Sequence, residues 1–219
     1  MARKPLTPSA TIRSAWDSGS LRTLKKHDPV TATGVNLLTG NGQSRYHQFE
    51  ATARLRLNDK RQVFFSYVRS GARGDLNDFS IFLGTFGMPV LRSNQFGNLP
   101  ADLPNRFLAW GLLQLPWGFR IAPLIEYRSG FPYAVTDAVQ NWVGVPYSSR
   151  FPTFFSADAR ISKDFKVTPK YTVRFSVNSY NLADHFNPEA VHSNIDDPAY
   201  GRFFGQRGRH FTADFDVIF

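Results

Sequence analysis

Cysteine is absent from this chain of 219 residues, and methionine occurs only twice. Without thiols there is neither a disulfide framework nor a thiolate metal centre. Long hydrophobic runs are missing too, and no stretch approaches the roughly 18 consecutive apolar residues of a spanning helix. That excludes helical spans but not strands, because a spanning strand needs only about 9–11 residues with every second one apolar. Averaging hides such a pattern, so a mean hydropathy of −0.30 does not decide the matter. No convincing helical repeat is present either. The basic start, MARKPLTPSATIRSAW, is not followed by the apolar segment of an export signal. Catalytic signatures are lacking: there is no G-x-S-x-G elbow, no Walker A loop and no H-E-x-x-H pair. Gly40-Asn41-Gly42 lacks the third glycine and the strand–helix setting of a dinucleotide site.

Aromatic residues, by contrast, are plentiful: they make up 15% of the chain, with 21 phenylalanines. Basic residues are in excess as well, giving a net charge of +9. Such a charge first points to nucleic acid. The basic residues are however scattered singly, and the densest group, Arg202, Arg207, Arg209 and His210, adjoins a strand pattern rather than a helix. A hydrated polar wall accounts for that distribution better than a nucleic-acid surface does.

Period-two alternation is the dominant signal. Phe49, Ala51, Ala53, Leu55 and Leu57 alternate with Gln48, Glu50, Thr52, Arg54 and Arg56. Phe211, Ala213, Phe215, Val217 and Phe219 alternate with His210, Thr212, Asp214 and Asp216, with Ile218 as the exception. Weaker alternation marks Gln62 to Arg69, Arg106 to Leu115, Phe119 to Tyr127, Phe155 to Ile161 and Tyr171 to Val177. The pattern predicts an all-β, antiparallel meander of about seven to eight strands over residues 44–219, and leaves 1–43 as a poorly defined loop or strand remnant near Ala10 to Trp16.

The connections alternate in length. Short turns fall at Asn58-Asp59-Lys60, Pro116-Trp117-Gly118 and Lys166 to Pro169, and long links run from about Gly71 to Pro104, Ser129 to Pro152 and Ala183 to Gln206. Short turns on one side and long loops on the other are the layout of outer-membrane barrels. A compact soluble domain seldom carries structureless loops of more than about 15 residues.

These segments resemble the C-terminal barrel of TonB-dependent outer-membrane receptors, in particular the Oar-like branch whose N-terminus carries a carboxypeptidase-regulatory-like domain. The resemblance lies in NRFLAWGLLQLPWGFRIAPLIEYRSGFPYAV (Asn105 to Val135), SRYHQFEATARLRLNDKRQVFFSYVRSGARGDLND (Ser44 to Asp78), FSADARISKDFKV, RFSVNSYNLADHFNP and the final FTADFDVIF. It implies a transmembrane segment of an incomplete barrel, non-catalytic and without a cofactor, since barrels of this kind have about 22 strands. It also implies contact with outer-membrane lipid, with the barrel-assembly machinery, and with the plug and missing strands of the remaining receptor. Phe211, Phe215, Val217 and Phe219 would form the C-terminal insertion signal. The signal peptide and plug are expected outside this stretch. A self-contained small barrel and a soluble basic β protein binding nucleic acid are the competing classes.

On the barrel reading, Glu50, Arg54, Arg56, Arg120, Glu126, Asp158, Arg160 and Arg174 face the lumen, either to contact a substrate or plug or simply to form a hydrated wall. Trp110, Trp117, Trp142 and Tyr127 are candidates for an interfacial girdle, Trp117 first because it sits beside a short turn. The histidines His27, His47, His185, His192 and His210 have no metal-ligand spacing. Asp184, His185, Glu189, His192, Asp196 and Asp197 have ligand chemistry, but Pro188 and Pro198 among them suit a polar surface loop.

Overall fold

The computed structural model describes residues 9–11, 42–76 and 95–219. The rest of the N-terminal segment, including Trp16 and His27, lies outside the described residues, as does 77–94.

In chain order the strands are β1 (Ser9–Thr11), β2 (Ser44–Asn58), β3 (Arg61–Asp75), β4 (Phe96–Asn98), β5 (Asn105–Gln114), β6 (Phe119–Arg128), β7 (Pro132–Tyr133), β8 (Ser149–Arg150), β9 (Phe154–Lys166), β10 (Thr172–Tyr180), β11 (Ala190–Val191), β12 (Phe203–Phe204) and β13 (His210–Ile218). Among the described residues there is no α-helix. The long strands form one antiparallel sheet in the order β1-β2-β3-β5-β6-β9-β10-β13, with β4 paired to β3 off that path. Each long strand pairs with the next long one along the chain, so the sheet is a meander. Its end strands, β1 and β13, do not pair with each other, and among the described residues the sheet is open.

Each short turn has its own local chemistry. Asn58 Oδ1 accepts from the Lys60 amide at 2.9 Å, which closes the β2–β3 turn. Thr168 Oγ1 does the same for the amides of Lys170 and Tyr171 after β9. Between β5 and β6, Trp117 and Gly118 both have positive φ, 59° and 77°. Two successive residues of this kind suit the twist of a tight hairpin, but only glycine reaches that region without strain. All three short turns lie at one end of the sheet. At that end Thr172 pairs with Ile218, so the chain terminus lies there as well.

The long links carry more structure than their sequence indicates. They hold β4, the β7–β8 ladder and the β11–β12 ladder. β2 and β3 also run further toward the loops than the alternation does, pairing Ser44 with Gly74. Backbone ladder bonds do not require an alternating side-chain pattern, which explains the extension.

Among the described residues an apolar core is nearly missing. The buried hydrophobic residues among those described are Ala72, Leu76 and Ala109.

Candidate functional site

The register determines what each face of the sheet presents. From β2 to β13 every ladder matches odd residues with odd and even with even, apart from an irregularity at Arg56/Asn58. Opposed residues share a face. One row of the odd face therefore reads Leu113, Ile121, Ile161, Val177, Ala213. Another reads Ala53, Phe65, Ala109, Ile125, Ala157. The apolar stripes legible in the individual strands thus merge into one continuous face. It is not covered: Tyr127 is 50% exposed, Phe215 74% and Phe219 90%. Phe211, Phe215 and Val217 lie on this face of β13, and Phe215 packs against Phe175 with ring centroids 4.8 Å apart.

All eight residues expected on the polar side occupy the even face, and most of them are paired there. Glu126 takes Arg106 at 2.9 Å and Arg128 at 3.6 Å. Asp164 takes Arg174 at 2.8 Å and also pairs with Arg120. Arg160 reaches Asp214 and Asp216 at 3.7 and 3.8 Å and donates to Ser176 Oγ at 3.0 Å. Asp158 Oδ1 accepts from Ser156 Oγ and from the Asn181 amide. Arg54 donates to Gln62 and lies over the Phe64 ring. Arg56 pairs with Asp59 at the turn, away from the others. Glu50 has no charged partner among the described residues. Exposed pairs of this kind contribute roughly 0–1 kcal/mol each. They balance much of the charge on the even face and add little to the stability of the sheet.

The even face has one apolar island. Phe64 stacks on Trp110 at 5.4 Å, and Leu124 is the next residue in the row. Trp110 therefore lies on the face of the sheet opposite to that of Tyr127 and Phe215. Sequence reading missed the island because β5 is apolar on both faces, which weakens alternation as a guide.

At the loop end, side chains lock the long links together. Asp102, 4% exposed, accepts from the Ala72 amide at 2.6 Å and pairs with Arg150. Arg150 also donates to the carbonyls of Asp102 and Gly130 at 3.1 and 3.2 Å. Gly130 lies so close to Phe151 that a Cβ would come within 1.8 Å of its carbonyl oxygen, so only glycine fits. The third link joins the second through Thr136, whose amide and carbonyl bond Ser193 and Ile195. Neither Asp102 nor Arg150 is marked by any local pattern, and nothing in the sequence pointed to their pairing.

Among the described residues no group of three or more potential metal ligands converges. The acidic and histidine residues of the last link go separate ways. Asp184 binds the Arg209 amide, Asp196 the Ala138 amide, His185 contacts Asn187, and His192 contacts Asp197 at 2.9 Å. Asp197 is held below the usual carboxylate range, chiefly by the Ala199 amide and then by His192. The Asp137 carboxyl is lowered likewise, first by the Asn141 amide.

A cleft of about 800 Å³ opens where the polar face meets the loops, beside Arg128, Phe154, Tyr180 and His210. Comparison of the chain with protein-family models, with curated proteins and with solved structures yields no match.

Proposed function

We propose that this chain is a wall segment of a bacterial outer-membrane transporter of the TonB-dependent receptor type, non-catalytic in itself. The odd face lies against lipid and the even face lines a hydrated lumen. The three long links stand at the cell surface, and the short turns and Phe219 at the periplasmic side. A plug and further strands complete the barrel, and the assembly machinery reads the aromatic stripe of β13.

The observation that carries the reading is the continuous, uncovered odd face combined with an almost absent apolar core. Moving a large apolar side chain out of water is worth about 1.5–3 kcal/mol. A face this large left in water would be strongly unfavourable, and exposed apolar patches of such size mark a contact surface. Lipid contact removes the penalty for the whole face at once. Trp117 adds support. It is 85% exposed and held at positive φ, two costs that an indole at headgroup depth would offset. The paired arginines of the even face favour a wall over a nucleic-acid surface. The open sheet favours a piece of a larger barrel over a small closed one.

The absence of cysteine makes the test direct. Single cysteines are placed in the full-length exported protein at Ala53, Ala157 and Ala213 on one face, and at Ser66, Ser162 and Thr212 on the other. A fluorophore carried on each of the first three thiols should be quenched by brominated lipid, and in the assembled protein a water-soluble maleimide should label the second three and spare the first. Equal labelling of both sets would overturn the lipid-facing assignment.

A further inference from the structure

The cleft at the loop end contains one charged group whose setting differs from the rest. The Arg128 guanidinium packs on two aromatic rings, 4.6 Å from the Phe131 centroid and 4.1 Å from that of Phe154. Two such contacts restrict its motion. Its one ion pair, with Glu126, is long at 3.6 Å, and among the described residues no hydrogen bond uses its donors. A half-buried guanidinium packed on two rings, with one long ion pair, keeps N–H donors to spare. Its fork matches a carboxylate, which it can grip through two parallel N–H···O bonds.

The remaining walls suit a flat body. His210 and Tyr180, which also line the cleft, stack at 4.6 Å with an interplanar angle of 14° and give it a flat aromatic wall. Arg207, exposed and without a partner among the described residues, stands at the rim as a second cation. Asp158 and Glu189 also line the cleft, so its net charge gives no attraction for an anion. Asp158 is occupied by Ser156 and Asn181. Any preference for acid must therefore come from the Arg128 fork. The volume is that of an ordinary small-molecule site.

We infer that this cleft binds a small organic acid whose carboxylate is carried on a flat ring. The carboxylate lies on Arg128, and the ring lies against the Tyr180–His210 stack. The inference depends only on the geometry of the cleft, so it is tested separately from the membrane reading.

The probes are 2-naphthoate and its neutral counterpart 2-naphthalenemethanol, titrated by fluorescence against the full-length protein in detergent micelles and, where it stays monodisperse, in plain buffer. Saturable binding of the acid is expected, about tenfold tighter than the alcohol. Arg128→Lys keeps the charge and loses the fork, and should weaken the acid by about tenfold while leaving the alcohol unchanged. Arg207→Gln, on an exposed loop with no packing role, should weaken the acid by about threefold and serves if the Arg128 variant misfolds by circular dichroism. Equal affinity for acid and alcohol, no saturation with either probe, or wild-type binding by both variants would overturn the inference. Success of the thiol labelling with failure here would leave the wall intact and remove the ligand site alone.

Discussion

Along β5, β6, β9, β10 and β13 only Ala109, Ser176 and Ser179 are buried, whereas Leu76, Asp102, Gly130, Pro132, Pro146 and Asn181 are all buried at the loop end. The sheet directs its side chains to two open sides and holds together through backbone ladders. The loops turn inward and satisfy one another with buried polar contacts. Among the described residues one part of the molecule leaves its apolar groups uncovered, and the other buries its polar groups against itself. The difference indicates where sequence change is tolerated: the wall is sensitive to the chemistry of a face, the loop end to the loss of a single partner.

The largest expected effect concerns the end of the wall. Deleting Phe219 from the exported protein should leave most chains unassembled, measured as loss of the heat-modifiable folded form in outer-membrane fractions. Wild-type amounts would make this residue an ordinary frayed terminus. Next comes the distinction between the faces themselves. Ala213 and Thr212 are neighbours on β13 with opposite orientation. In lipid vesicles Ala213→Arg should cost about 2–4 kcal/mol in denaturant unfolding, and Thr212→Arg no more than about 0.5 kcal/mol. Similar penalties for the two would erase the difference between the faces.

At the loop end, Asp102→Ala removes the acceptor for both Ala72 and Arg150. A loss of roughly 1.5–3 kcal/mol is expected locally, seen as faster proteolysis within 95–104 and 129–153 while β9–β13 keep their amide protection. Uniform loosening of strands and loops together would mean the two regions are not independent.

The smallest effect is a pH response confined to the last link. Asp197 has a folded pKa below its unfolded value of about 3.9. Its stabilising contribution is therefore present above that unfolded value and is lost as pH falls through the lower folded one. Amide exchange at Ala199 should accelerate over that acidic window, and Asp197→Asn should remove the change. Persistence of the response in that variant would assign it to another group.

Much of the wall was legible. Alternation marks β2 from Phe49 to Leu57 and the whole of β13, and it marks β9 and β10 only as far as Ile161 and Val177, short of their observed ends at Lys166 and Tyr180. The sheet order followed from the sequence of short and long connections. What escaped was anything held by distant partners. Ser70 to Asp75 shows no alternation, yet it is strand because β2 and β4 supply its ladder bonds. Asp102 and Arg150 are separated by 48 residues and pair only because two links meet above β3 and β6. The two rings on which Arg128 packs come one from the loop that follows it, Phe131, and one from the next long strand, Phe154. The Phe64–Trp110 stack joins strands whose local patterns do not mark either residue.

Which residues share a side of a strand was decided by the sequence alone, because the pleat repeats every two residues whatever lies nearby. Register between strands was not, since it depends on turns and ladders linking distant residues, and a one-residue slip would have exchanged the faces. Nor could the sequence say what the apolar stripes lie against. The same alternation builds a sandwich, where a second sheet covers the apolar side. Only the tertiary structure decided that, among the described residues, no second layer lies over this one.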